Sequence, residues 1–297
     1  MKKAAWLLVF AAGSLWGTMG IFVRRYNAYE MDSMDIVAVR AIVTAVLMFV
    51  FLLIYDRHLL RIRLKDLWCF LGTGLLSILF FNFCYFKAIT MTSLSVAAVL
   101  LYTAPAIVML LSYVLFQEKL TGNKILSLGL TFVGCILVTG ILGSKELLSA
   151  AGIFVGLGAG LGYALYSIFS RYALERGYHS FTIAFYTFLI TAFGVLPFVD
   201  CISVAKVCCS SPDMIVFTIV FGLVSTVLPY ILYTIGLSAI ENGKASIIAS
   251  VEPVVATMLG VLLYHERLTV NGVVGMVLVL GAIVISVGKT STSISGE

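Results

Sequence analysis

Long runs of apolar residues recur along the chain, and short polar segments separate them. Each run reaches the roughly 20 residues that a helix needs to cross the hydrocarbon core of a bilayer. The runs predict ten helices, over roughly 4–23, 35–54, 67–87, 93–116, 123–142, 151–171, 182–200, 213–238, 244–264 and 271–288. The connections between them are too short for a folded soluble domain, so any chemistry must lie within or between the helices.

The second half of the chain repeats the first. An offset of 148 positions places Pro253 on Pro105 and the sequence ERLT at 266–269 on EKLT at 118–121. We therefore divide the chain into residues 1–144 and 145–297, with five predicted spans each. Because five is an odd number, the second unit enters the membrane from the opposite side. The predicted fold is an all-α integral membrane protein with ten transmembrane helices in two inverted five-helix repeats.

Composition and charge agree with this fold. The chain is 61% hydrophobic and 11% charged, whereas soluble domains carry about 25% charged residues. With the amino terminus inside, twelve basic residues fall on the inner side and five on the outer side. Basic residues favour the cytoplasmic side of short loops, so both termini are predicted to be cytoplasmic. Anchoring against anionic membrane lipid explains the net charge of +5, and no nucleic-acid partner is needed.

Spans four and nine are predicted to be broken, at Pro105 and Pro253. Proline removes a backbone donor and leaves a carbonyl without its helical partner. In lipid that carbonyl must be satisfied by protein, ion, water or substrate. Broken helices at matching positions of two repeats are the best sequence indication of a transporter binding site. We interpret both prolines as gating positions, where bending of the helices opens one side.

Glu252 is the only acidic residue at the middle of a predicted span, and its aligned partner is Ala104. A charge at this depth costs about 2.5–3.5 kcal/mol on insertion scales. Three functional interpretations are open: contact with a substrate amine, transport of a proton, or an ion pair. The structural alternative is a protonated carboxyl group that bonds to backbone freed by Pro253.

Aromatic residues occur at matching positions of the repeats. Trp16 aligns with Tyr163, and Tyr85 aligns with Tyr233. Core packing and lipid contact are the plain alternatives for each ring, but the symmetric placement favours a binding site. The residues predicted to bind substrate are Trp16, Asn82, Tyr85, Tyr102, Tyr163, Tyr233 and Glu252.

Several further positions leave alternatives open. Arg40 in span two can snorkel to the outer interface or act inside the bundle. Gly13 and Gly17 form a face that lets another helix come close. Spans five and ten resemble packing helices, and both a monomer and a homodimer fit. We expect the cysteines to be free thiols, although Cys201 could pair with Cys208 or Cys209 outside the cell.

Two segments carry a family resemblance: LYTAPAIVMLLSYVLFQEKLT and ASVEPVVATMLGVLLYHERLT. Both resemble the end of the EamA repeat of the drug/metabolite transporter superfamily. The resemblance implies a ten-helix carrier in the inner membrane of a bacterium, with a central cavity lined by spans one, three, four, six, eight and nine. Members of the family export amino acids or move other small metabolites. Glu118 and Glu266 match the loop carboxylates of the family, and we interpret them as structural.

The resulting hypothesis is a secondary active or facilitative transporter that exports an amino acid by alternating access, without a cofactor. Facilitated uniport and proton exchange both fit. The alternatives are a carrier for another small metabolite or drug-like compound, a channel, and a membrane-embedded enzyme. A channel lacks support because no charged ring or filter-like loop is visible. An enzyme lacks support because no span holds an acidic pair and the three histidines, His58, His179 and His265, are scattered without metal-site spacing.

Overall fold

The computed structural model describes residues 4–141 and 149–288, and within them it contains helices and turns but no β-strand. It confirms the predicted all-α membrane fold. Nine helical spans are long and apolar enough to cross a membrane, and the tenth, the fifth in chain order, is a shorter apolar helix. The spans, numbered one to ten, are Ala5–Asn27, Ser33–Tyr55, Leu64–Met91, Leu94–Phe116, Gly122–Val138, Ala150–Glu175, Ser180–Phe198, Pro212–Leu237, Asn242–Tyr264 and Val270–Val287.

Spans four and nine are each interrupted directly before the predicted proline. Span four consists of Leu94–Leu101 and Ala104–Phe116, and span nine of Asn242–Ala249 and Glu252–Tyr264. Proline occupies the first turn of each second half, where its missing N–H has no helical partner to lose. The breaks predicted from Pro105 and Pro253 are therefore present in the structure.

Spans one, three and eight are also irregular. Span one is divided into Ala5–Trp16 and Met19–Asn27. Spans three and eight contain wide π-helical turns over Gly72–Leu79 and Leu223–Val227. Such turns often lie near functional sites. The remaining α-helical segments of spans three and eight are Leu67–Leu71, Phe80–Met91, Pro212–Gly222 and Leu228–Leu237. A short helix outside the spans covers Cys201–Cys208. Turns of 3-10 helix cover Arg57–Leu60, Leu64–Asp66 and Leu196–Phe198.

The repeated EKLT and ERLT motifs form tight corners between helices. The residues just before them, Gln117 and His265, both end a helix in the left-handed conformation with φ of 55°. The motif threonines then cap the next helix: Thr121 accepts from the Lys124 amide and Thr269 from the Gly272 amide. Threonine is a favoured N-cap residue, so this part of the repeat specifies a helix–corner–helix unit.

The two repeats are interlocked. Span one packs against spans eight and nine, and span six packs in the same way against spans three and four. Span two packs against span seven, and span five against span ten. Each of these pairs joins one repeat to the other. Neither repeat therefore has a separate core, and the sequence units 1–144 and 145–297 are not independent bodies in space.

Contacts along the helices show that the repeats are inverted. Span one runs antiparallel to span eight, since Tyr26 bonds Thr218 near one end and Gly236 packs on Val9 near the other. Span six runs parallel to span eight, because Tyr166 bonds Thr234 and Arg171, further along, bonds Ile240. Spans one and six, which are equivalent in the two repeats, therefore run in opposite directions.

Glycines bring spans one and six against the broken helices. A methyl group on Gly13 would lie 2.7 Å from the Ala249 carbonyl oxygen, and one on Gly17 would lie 2.8 Å from the Glu252 carbonyl oxygen. On the other side of the molecule, a methyl group on Gly160 would lie 2.9 Å from the Leu100 carbonyl oxygen. Real Cβ atoms do not approach backbone this closely, so both crossings require glycine.

The ion pairs separate two faces of the molecule. The described residues form seven ion pairs. In each pair, the sequence predicts both partners to lie on the same side of the membrane. We call one side the basic face, which holds Arg63, Lys124, Arg171 and Arg176, and the other the opposite face, which holds Arg24, Arg25, Asp213 and Glu266. Between them the outer surface is apolar and exposed, as expected of helices in contact with lipid.

Candidate functional site

A small cavity lies where the interlocked helices cross at the centre of the molecule. Its volume is about 20 Å³, which is room for roughly one water molecule. Spans one, three, six and eight contribute its wall, so both repeats build it. The wall is formed by Trp16, Ser77, Ile78, Phe81, Tyr163, Tyr166, Ser167, Tyr230 and Tyr233.

Aromatic rings dominate this cavity, and Trp16 is their centre. The centroid of its ring lies 6.3 Å from that of Tyr163, 5.1 Å from that of Tyr230 and 5.4 Å from that of Tyr233. The Tyr233 hydroxyl is hydrogen-bonded to the hydroxyl of Ser167 at 2.7 Å. Rings held at such distances give a rigid apolar wall with hydroxyl groups at its edges, which suits an amphipathic ligand.

Glu252 begins the second half of span nine, next to this cavity. Its side chain accepts a hydrogen bond of 3.1 Å from the hydroxyl of Tyr163. The positive end of the half-helix favours a carboxylate at this position. Glu252 is half-buried and keeps an accessible surface. Its carboxylate is therefore held by an aromatic residue of the cavity wall and is open to a further partner.

Arg40 lies inside the bundle and does not snorkel to the interface. The residue is 7% exposed. Its Nη2 donates a hydrogen bond of 2.8 Å to the hydroxyl of Tyr230, which lines the cavity. The structure therefore decides between the two interpretations of Arg40, and it places a cation and an anion around one aromatic cavity.

Most residues predicted to bind substrate converge here. Trp16, Tyr163 and Tyr233 line the cavity. Tyr85 and Tyr102 are half-buried, and both are within electrostatic range of Glu252. They extend the site from the cavity towards the break in span four.

Asn82 is different from the other predicted residues. It is 4% exposed, and its amide donates a hydrogen bond of 2.7 Å to the Ile78 carbonyl oxygen of its own helix. The side chain is not part of the cavity wall. A local bond to the preceding turn satisfies it, so the structure gives no support for Asn82 as a substrate-binding residue.

Sequence reasoning missed two tyrosines of the wall, Tyr166 and Tyr230. Each lies three residues from a predicted one, Tyr163 or Tyr233. Residues three apart share one face of a helix. This spacing in two different spans was the signal that could have identified them. Ser77 and Phe81 carried no comparable signal.

A buried polar network closes the molecule between the cavity and the basic face. Glu118 accepts hydrogen bonds from the amides of Asn242, at 2.6 Å, and Gly243, at 3.2 Å, at the start of span nine. Lys124 lies 3.6 Å from the same carboxylate and is 3% exposed. Arg171 donates to the Asn242 side chain at 2.8 Å. Glu118 therefore caps a helix and holds two repeats together, as its structural interpretation predicted.

The opposite face is closed less firmly. Glu266, the repeat counterpart of Glu118, is paired with Arg24, and both side chains are about half exposed. Arg24 and Glu266 line a groove of about 260 Å³ between spans one and nine. The groove reaches Gly17, which contacts the backbone of Glu252. At the repeat-equivalent position, the opposite face therefore has the exposed pair of Arg24 and Glu266, and the basic face has the buried network around Glu118.

Comparison with known proteins finds one family match in each half of the chain. A family model described as the EamA-like transporter family matches residues 3–140 and again residues 150–288. The chain is 29% identical over 277 residues to an uncharacterized transporter of Archaeoglobus fulgidus, with 92% of each protein covered. It is 27% identical over 306 residues to the uncharacterized transporter YxxF of Bacillus subtilis, with 99% of this chain and 94% of that protein covered.

One solved structure has the same fold. It covers 96% of this chain and 98% of its own, with a TM-score of 0.78 and 16% sequence identity. At this identity the likeness concerns the fold alone.

Removal of the Glu118 carboxylate and removal of its repeat counterpart, Glu266, should lower the free energy of unfolding by different amounts. Glu118→Ala leaves the buried Lys124 with the half-exposed Glu241 as its one ion-pair partner, beside a bond to the Lys119 carbonyl oxygen, and it uncaps span nine. We expect it to cost about 3–5 kcal/mol, the range for breaking a buried pair. Glu266→Ala, the matched control, removes an exposed pair and should cost about 0–1 kcal/mol. Thermal unfolding of the two purified variants measures the difference, and equal midpoints would contradict the buried network.

Proposed function

Because this chain belongs to the EamA-like transporter family, we propose that it exports a small amphipathic metabolite, above all an amino acid, by alternating access. The observation that carries the proposal is the cavity that both repeats build around Trp16, with Glu252 beside it. Aromatic rings would stack on the apolar part of the substrate, and Glu252 would receive its ammonium group. The resemblance to amino acid exporters favours outward movement.

The way in which the two faces are closed supports alternating access. A cavity of about 20 Å³ cannot hold an amino acid, since ligand pockets are typically about 300–1,000 Å³. Binding therefore requires spans to separate on one face. The inverted repeats supply two related closures, one at Glu118 and one at Glu266, so opening one while the other stays shut exposes the site to one side at a time. We assign the prolines Pro105 and Pro253 to this bending.

Counterflow in proteoliposomes tests the transport proposal. Vesicles are loaded with a mixed pool of unlabelled amino acids, and labelled phenylalanine, threonine or alanine is added outside. We expect saturable accumulation of at least one, competed by its unlabelled form, because a carrier exchanges bound substrate across its two open states. Flux that neither saturates nor responds to the internal pool would indicate a channel.

Absence of counterflow from folded protein would exclude these amino acids and turn the search to other small metabolites. The direction has a separate measurement. Expression in a host challenged with an inhibitory amino acid analogue should raise tolerance if transport is outward. Lower tolerance would show uptake.

Glu252→Gln separates the two roles open to this carboxylate. If Glu252 receives the substrate amine, counterflow should fall at every pH, by roughly 10–100-fold for the loss of a charge-assisted bond. If Glu252 carries a coupling proton, flux should persist but lose its pH dependence. The titratable and charged groups around it are Tyr85, Tyr102, Cys135, Tyr163, Tyr230 and Arg40. Asp213→Asn, which removes an exposed carboxylate outside both closures, is the control. Unchanged flux with unchanged pH dependence in Glu252→Gln would contradict both roles.

We further propose that the basic face is cytoplasmic, in the inner membrane of a bacterium. Basic residues concentrate there, as the positive-inside rule requires. The structure offers a native probe, because all six cysteines are free and the two exposed ones, Cys201 and Cys209, precede Asp213 on the opposite face. A membrane-impermeant maleimide should label the protein in intact cells. Replacement of Cys201, Cys208 and Cys209 by serine should abolish this labelling. Labelling only after permeabilisation of the cells would show that the opposite face is cytoplasmic and would contradict the proposed orientation.

A further inference from the structure

Arg40 is a buried cation without an ion-pair partner. Among the described residues no carboxylate lies within ion-pair distance of its guanidinium group. Its Nη2 bonds the neutral hydroxyl of Tyr230, and its Nε has no hydrogen-bond partner. A guanidinium at this depth costs about 2.5–3.5 kcal/mol even on the mildest scales. A fold that retains such a group needs an anion for it during part of its cycle.

Two further unsatisfied groups belong to residues of the cavity wall. The indole Nε1 of Trp16 and the hydroxyl of Ser77 have no hydrogen-bond partner, and both residues line the wall. Trp16 is 8% exposed and Ser77 is 0% exposed. An indole N–H can only donate a hydrogen bond, and a hydroxyl can donate one. The unsatisfied groups around the cavity are therefore a set of donors, which is the chemistry that binds an anion.

Arg40 and Glu252 are attached to different residues of the cavity wall. Tyr163 bonds Glu252 and Tyr230 bonds Arg40, and the ring of Trp16 contacts both tyrosines. The cavity thus has one wall attached to an anion and another attached to a cation. A zwitterion placed between them would satisfy both charges.

We infer that Arg40, Trp16 and Ser77 form a carboxylate-binding subsite, so that the transported molecule carries a carboxylate as well as the group that Glu252 receives. This inference rests on the proposed function and narrows its substrate class to zwitterions such as amino acids. The charges of Arg40 and Glu252 sum to zero, so a zwitterion bound between them leaves the site neutral. A phosphate dianion bound there would leave a net negative charge in the membrane. Arg40 supplies the charge, and Trp16 and Ser77 orient the carboxylate oxygens.

Binding to purified protein tests the subsite without transport. Replacement of Trp6 and Trp68 by phenylalanine leaves Trp16 as the only indole, since the chain has three tryptophans. The probes are two pairs that differ only at the carboxyl group: phenylalanine with phenylalaninamide, and 3-phenylpropionate with 3-phenylpropionamide. We expect the carboxylate of each pair to change Trp16 fluorescence at concentrations at least about tenfold lower than its amide, as for loss of a charge-assisted bond.

Variants of Arg40 identify the group responsible. Arg40→Gln should remove the carboxylate preference, and Arg40→Lys should retain part of it because the charge remains. Arg25→Gln is the matched control, since it removes an arginine from an exposed pair outside both closures, and it should leave the preference unchanged. If Arg40→Gln does not fold, Ser77→Ala removes a smaller donor and should reduce the preference several-fold.

The outcomes separate this inference from the proposed function. Equal response of Trp16 to acids and amides, no response to either acid, or a preference that survives Arg40→Gln would overturn the subsite. Carboxylate binding together with an absence of amino acid counterflow would retain the subsite and reject the proposed substrate. Counterflow of an amino acid that its amide competes equally well would retain transport and reject the subsite.

Discussion

The close crossing of glycine faces over broken helices is the constraint on which the rest of the structure depends. Gly13 and Gly17 of span one lie against the backbone at the break of span nine, and Gly160 of span six lies against the break of span four. In lipid a break is tolerated only where protein or a wet cavity covers the freed backbone. Because each covering helix comes from the other repeat, these crossings interlock the repeats and place the cavity between them.

The aromatic cavity follows from that crossing. Trp16 lies one turn from Gly13 on span one, so the contact that seals span nine also directs the indole towards Tyr163 and Tyr230. The same tyrosines hold Glu252 and Arg40. Two charges that would each be costly alone in the membrane are thereby arranged around one site. The network at Glu118 and the pair at Glu266 join helices of the two repeats on the two faces of the molecule.

The sequence predicted much of this architecture. Apolar run length, a local signal, predicted the ten helices, and the prolines at matching positions of the repeat predicted the two breaks. For the site, symmetric alignment selected Trp16 and Tyr163, and both line the cavity. Asn82 was also selected, as a polar residue within a span, and its side chain bonds its own helix. Burial and hydrogen bonding depend on which neighbouring helix faces a residue, and a single sequence does not contain that information.

Hydrophobic length, charge asymmetry and internal repetition determined by themselves that this chain is a ten-helix protein of two inverted units, because a bilayer leaves few other ways to satisfy the backbone. Only the tertiary structure decided that the units interlock instead of lying side by side. It also decided that Arg40 points into the bundle, as the direction of a long side chain is set by the partner it finds. That partner, Tyr230, lies 190 positions away in the chain, beyond the reach of any local pattern.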